Sequence, residues 1–256
     1  MKKIREFFYD YRLLLRSIPG LITTFFCISV VLMNLMASKT IVRFNMFLAV
    51  DGGFLLSWVP FLCMDTITKR FGPKAANKLT LLALVINLFC VGMFALVSIT
   101  YIGDVSRDEF AGFDSIFGFN WIILLASSFA FLVSGIINNI LNWLIGRSFV
   151  KNPDGKLAYV TRSYVSTFIG QFIDNFIFAY FAFRILGPIF WDGFKQYEFT
   201  EVIGSAIVGA VLELVMEVIF SPIGYKLSKM WKDEGIGNEY INYSLQREAN
   251  KLAEVI

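Results

Sequence analysis

Asp174, Glu213 and Glu217 sit inside apolar runs of a chain that is otherwise sparing with charge. Arg162, Ser166, Gly170 and Asp174 recur every four residues, and Ser163, Thr167, Gln171 and Asn175 form the row beside them. Both rows fall on one side of a helix, with Phe, Ile and Val on the other. A side so rich in carboxylate, amide and hydroxyl groups suits a water-lined or ligand-lined wall. The competing reading is close packing and hydrogen bonding to a neighbouring helix. Ser205, Gly209, Glu213, Glu217 and Ser221 repeat the device, again four apart. Small residues allow close helix approach, and two carboxylates one turn apart do not both ionise freely in a low dielectric. For Glu217 the alternative is an ion pair with a basic residue near the span end.

Further candidates are weaker one by one. Asn138 shares a face with Ser127, Ser134 and Asn142, with Asn139 beside it, while Asn34 and Ser38 lie near the end of the first apolar run. Each alone is more often an interhelical hydrogen bond than a ligand contact. Asp51 and Asp65 flank a second run, and Asp51 opens an Asp-Gly-Gly triplet. Two glycines destabilise a helix interior by about 1 kcal/mol each. The triplet is therefore expected to interrupt a spanning helix, freeing backbone groups of the kind that build transporter sites. A loop above the membrane is the other reading.

Several chemistries are absent. The 256 residues contain no histidine, which removes Ser-His-Asp triads, Cys-His dyads and His-ligated zinc. Cys27, Cys63 and Cys90 lie in apolar runs with no C-x-x-C pair and read as small buried hydrophobes. There is no Walker A sequence, no H-E-x-x-H and no G-x-S-x-G. The expectation is a protein that is not an enzyme and uses no metal or cofactor. A net charge of +3 is too small to suggest nucleic acid.

The elements that must carry these residues follow from composition. Apolar residues make up 57 % of the chain and charged residues 17 %, and the mean hydropathy is +0.64. Soluble domains hold about 45–50 % and roughly 25 % respectively, so a polytopic all-α membrane protein is expected. Six transmembrane helices fit, at about 18–37, 44–64, 79–100, 120–145, 162–186 and 201–223. A polar, partly helical tail covers 224–256. Of the 23 Lys and Arg, only Lys39, Arg43, Arg107, Arg184 and Lys195 fall on outer segments when the N-terminus is inside. The positive-inside rule then places both termini in the cytoplasm. The basic, aromatic N-terminal segment leads into an apolar run too long for a signal peptide and is read as uncleaved. No repeat or long linker divides the chain, so residues 1–256 form a single transmembrane domain of a cell-membrane protein.

The stretch Gly52-Gly53-Phe-Leu-Leu-Ser-Trp-Val-Pro60-Phe-Leu-Cys-Met-Asp65-Thr-Ile-Thr-Lys-Arg-Phe-Gly72-Pro-Lys-Ala75 resembles the signature of the queuosine precursor transporter family, also called the putative vitamin uptake transporters. The run Arg162 to Phe183 is similar to a second family block, and Glu213 to Lys226, with Pro222, to a third. The blocks cover about a third of the chain. Lys69 stands where many members carry Glu, and Asn175 where Thr is usual, which could alter substrate preference. The resemblance implies import of 7-deazaguanine precursors of queuosine. A carboxylate can accept from the ring N–H and exocyclic amine of such a base, and amides can serve its other edge. Asp174 or Glu213 with Gln171, Asn175 and Asn138 offers these groups, and Asp65, Asp51, Asn34 and Arg162 complete the candidate set. The partners expected are a small solute and the lipid bilayer, with a homo-oligomer left open. The alternative is a substrate-capture module of an ATPase-driven vitamin uptake complex. Such modules dock through an A-x-x-x-A pattern, and the first span has only Ala37.

Overall fold

The computed structural model describes residues 2–37, 39–43, 49–104, 106–117, 121–190 and 195–253. The expected span starts at Phe44 and Asn120, and the candidate Ser38, lie outside these residues. Helix α1 (Lys2–Ser17) meets α2 (Gly20–Met36) at a bend of 104°. Pro19 sits at the corner, where its missing N–H costs α2 nothing. Two short strands follow, β1 (Thr40–Arg43) and β2 (Ala49–Asp51), paired antiparallel with Thr40 opposite Asp51 and Arg43 opposite Ala49. Helices α3 (Phe54–Phe71) and α4 (Pro73–Ser98) come next. A single turn at Asp108–Phe110 leads into α5 (Ala111–Phe117), followed by α6 (Trp121–Ser148) and α7 (Lys156–Ala179). The chain widens by a π-type stretch at Tyr180–Leu186 into α8 (Gly187–Phe190). It ends with α9 (Phe199–Asp233) and α10 (Asn238–Ala253).

Two local sequences set the turns around α3. Gly72 has φ of 87°, a conformation that needs glycine, and Pro73 opens α4 behind it. Gly52 and Gly53 do not interrupt a helix. They form the turn from β2 into α3, and a Cβ on them would lie 2.8 Å from the Met36 carbonyl oxygen and 2.7 Å from that of Met33. The glycines thus let this turn lie directly on the end of α2. The described helix starts at Phe54 rather than near 44, and among the described residues the regular elements are all helical apart from this hairpin.

Among the described residues, four stretches are long and apolar enough to cross a membrane: Pro73–Ser98, Ile123–Ser148, Lys156–Phe190 and Phe199–Asp233. Counting the bent pair α1 and α2 as one span makes five. Helix α3, which carries Asp65, Lys69 and Arg70, is less apolar than these, for a visible reason. Every residue from Pro60 to Thr68 is buried among α2, α4, α6 and α9. Its solvent is protein, so Asp65, Thr66 and Thr68 are tolerated. The outer helices show the reverse pattern. Leu81, Val85, Leu88, Phe89, Met93 and Leu96 of α4 are all exposed on one side. So are Ile207, Val211, Val215, Ile219 and Ile223 of α9. Stripes of that size suit hydrocarbon rather than water.

The tail is more ordered than its composition suggests. Helix α9 runs ten residues past the expected span end at Ile223, and α10 folds back under the bundle beside α1. Trp231, Tyr240 and Phe71 pack with Leu13, Leu14 and Ile18 in one core. Asp10 on α1 is 4 % exposed and binds Lys78 Nζ at 2.6 Å and Arg247 at 2.5 Å. Helices α1 and α10 therefore meet in one collar at the start of α4.

Candidate functional site

Helices α7 and α9 pack along their lengths, and glycine lets them do so. A Cβ on Gly209 would lie 2.6 Å from the Asn175 side chain. At this crossing the bundle opens into a cavity of about 450 Å³, bounded by α2, the β2 turn, α3, α6, α7 and α9. That volume lies in the usual range for small-molecule sites.

The walls are polar toward the middle and aromatic toward one end. Asp174 accepts a hydrogen bond from the Ser134 hydroxyl at 2.7 Å. Glu213 accepts one from Ser57 on α3. Asn175 donates back to the Gln171 carbonyl at 2.8 Å, which fixes its amide toward the cavity side of α7. Asp51 Oδ1 takes the Gly53 N–H at 2.8 Å, closing the turn above α3. Asn34 accepts from Ser127 across α2 and α6. Phe178, Phe183 and Tyr197 form an aromatic wall, with ring centroids 5.4 and 5.0 Å apart in succession. Lys195 lies at the rim, 72 % exposed and 3.7 Å from Glu201. No described basic side chain lines the deeper walls.

Three buried polar atoms at these walls have no partner among the described residues: Glu213 Oε2, Gln171 Nε2 and Asn34 Nδ2. Native interiors leave few such atoms, and leaving one unpaired costs about 1–3 kcal/mol. One carboxyl oxygen and two amide donors around a common space form a donor–acceptor set that a polar solute or water can satisfy.

Of the nine candidates from sequence, Asp174, Gln171, Asn175, Glu213, Asp51 and Asn34 line this cavity. Asp65, Asn138 and Arg162 do not. Asp65 accepts from Asn138 at 2.9 Å, from Ser163, and from Thr167 at 3.4 Å. Ser163 also bonds Glu217 Oε1 at 2.7 Å. Arg162 donates to Asn142 Oδ1 at 2.7 Å. These residues make a second, closed cluster further along α7. Residues that sequence reasoning passed over as ligands include Ser57, which lies inside the Gly-Gly-Phe-Leu-Leu-Ser stretch, and the aromatic wall, which carries no signal in so Phe-rich a chain.

Outside the spans, Asp154 before α7 is paired with Lys232 at the end of α9. That ammonium holds the Asp154 carboxyl below the ordinary carboxylate value.

A helical bundle with lipid-type outer faces and an internal polar cavity is the architecture of a multi-pass membrane protein that handles a small solute. The model of the family described as Putative vitamin uptake transporter matches residues 51–227, and the chain belongs to that family. The match begins at Asp51 and ends in α9, so it takes in the whole cavity lining except Val50 and the residues at the end of α2. No curated protein and no solved structure gives a significant match.

Proposed function

We propose that the protein imports a small, planar, uncharged heterocycle, a 7-deazaguanine precursor of queuosine, bound in the cavity between α2, α3, α6, α7 and α9. The observation that carries this reading is the set of unpaired polar atoms on Glu213, Gln171 and Asn34 around one cavity. A deazaguanine presents two adjacent N–H donors and a carbonyl. Glu213 or Asp174 can accept the donors, and the Gln171 and Asn34 amides can serve the carbonyl. Phe178 and Phe183 offer faces for the ring. An anionic solute would call for a cation in the deeper wall. Family membership supports transport of a small molecule; the deazaguanine itself comes from the motif resemblance and from this donor–acceptor match.

In this reading α2 and α3 complete six spans, both termini face the cytoplasm, and the collar of α1 and α10 is cytoplasmic. Cysteines introduced at Asn152 and Asn242 should then resist an impermeant thiol reagent in intact cells, and Asp108→Cys should label. The reverse pattern refutes the orientation. The solute is tested by rescue of queuosine-modified tRNA in a strain that neither makes nor imports the precursor. Low external deazaguanine should rescue only when this chain is expressed, and excess guanine should compete weakly. Failure of a well-inserted protein to rescue removes the proposed solute. Rescue only with a co-expressed ATPase complex would favour the capture-module alternative.

A further inference from the structure

Asp65 on α3 and Glu217 on α9 are 0 and 1 % exposed, and both contact the single hydroxyl of Ser163 on α7. A serine hydroxyl has one hydrogen. It can donate to one carboxylate, and its contact with the other is favourable only if that carboxyl donates to it. Two carboxylate anions would leave one oxygen–oxygen contact with no hydrogen in it. The neighbours decide which group is the anion. Asp65 receives the Asn138 amide and the Thr167 hydroxyl as well, and the Arg162 guanidinium acts on it electrostatically. Glu217 has only Ser163, and its Oε2 is buried without a partner among the described residues.

We propose that Asp65, Ser163 and Glu217 form a proton-binding site, separate from the solute cavity, whose loading couples solute movement to the movement of a proton. Glu217 carries the proton and donates it to Ser163 Oγ, and Ser163 donates its own hydrogen to the Asp65 carboxylate. With Arg162 opposite Asp65, the loaded cluster is neutral. The other titratable groups facing the pair are Tyr159 on α7, Cys63 on α3 and Glu213 on α9. Helix α6 contributes the amide of Asn138. Loss of the proton would set two anions against one hydroxyl at the junction of α3, α7 and α9, and repulsion there favours separating these helices. Glu213 in the cavity wall lies one turn from Glu217 on the same helix, so separation at the closed cluster reaches the solute walls directly. Proton and solute then bias the same packing equilibrium.

This inference rests on the transporter reading, and its test has one arm independent of that reading. In purified full-length protein at neutral pH, the infrared difference between wild type and Glu217→Gln should contain a deuterium-sensitive band of a protonated carboxyl. Gln keeps the size of the side chain and can still donate to Ser163. If that variant does not fold, Ser163→Ala should shift the same band instead. Absence of the band or its shift overturns the proton site, whatever the solute. In proteoliposomes, a gradient of one pH unit should drive accumulation of labelled 7-deazaguanine to about tenfold, the ratio equivalent to 1.4 kcal/mol. Glu217→Gln should exchange labelled for unlabelled solute yet accumulate none. Full accumulation by Glu217→Gln, or accumulation that follows sodium instead of the pH gradient, overturns the coupling. No solute movement by any form, with the infrared band present, overturns the transport reading and leaves the proton site standing.

Discussion

Gly209→Ala separates solute recognition from folding. The added methyl would lie 2.6 Å from Asn175 Cγ and Oδ1 and 2.7 Å from its Nδ2, so the amide must swing away. Asn175 then loses its 2.8 Å bond to the Gln171 carbonyl, a cost of about 0.5–1.5 kcal/mol. Ala in place of Gly in a helix interior returns about 1 kcal/mol. The two nearly cancel, so the melting temperature in detergent should hardly move. Binding is different. A solute that relies on the Asn175 amide is left with an unpaired polar group costing about 1–3 kcal/mol. That converts to roughly a 5- to 150-fold rise in the half-saturating concentration. Gly92→Ala is the control, because its methyl meets nothing within 4 Å. Concentration-dependent uptake at matched expression is the assay. Unchanged half-saturation for a well-folded Gly209→Ala protein would show that Asn175 does not touch the solute and would refute its place among the solute-binding residues.

Asp174→Asn preserves volume and can still accept from Ser134, so uptake should fall at least about tenfold, equivalent to 1.4 kcal/mol, without loss of folded protein. Gln171→Ala should weaken solute binding by about 1–3 kcal/mol, read as half-saturation of uptake. Asp10→Asn removes both collar ion pairs. With Lys78 and Arg247 still able to reach solvent, its cost should be about 1–2 kcal/mol in a melting experiment. Burial, with the Asp10 charge second, holds the Tyr240 phenol above its ordinary value. The fold favours the neutral phenol, so its contribution to stability is intact below about pH 10 and is lost as pH climbs toward the raised folded value. Alkaline titration followed by phenolate absorbance should show Tyr240→Phe removing a late-ionising tyrosine.

The polar sides of α7 and α9 were legible because a four-residue repeat survives in any helix. Helical spacing reports a face, though, and says nothing of depth. Arg162 and Asp174 are twelve residues apart, about 18 Å along an axis rising 1.5 Å per residue. One stripe therefore serves two places, with Asp174 on the cavity and Arg162 in the closed cluster. Glu213 and Glu217 divide in the same way, since one turn is enough to exchange Ser57 for Ser163 as partner. The strand at 49–51 was hidden in an apolar run that also suits a span, and its partner at 40–43 is only four residues long. Gly52 and Gly53 were visible as a break, but only the position of the α2 end explains why both must lack a side chain. The collar had no local signal, because its partners are far apart in sequence.

That separation bears on how the chain is made. Asp10 leaves the ribosome well before its partner Arg247, which is 237 residues further on. At about 5–20 residues per second, synthesis of that interval takes roughly 10–50 s. Throughout it α1 has a buried-type carboxylate and the leucine face of Leu13 and Leu14 without the α10 surface that joins their core. The helices between them enter the bilayer while the collar is still open. Closing it thus waits for α10, and a nascent chain halted before that helix would hold an inserted bundle whose α1 still lacks its partner.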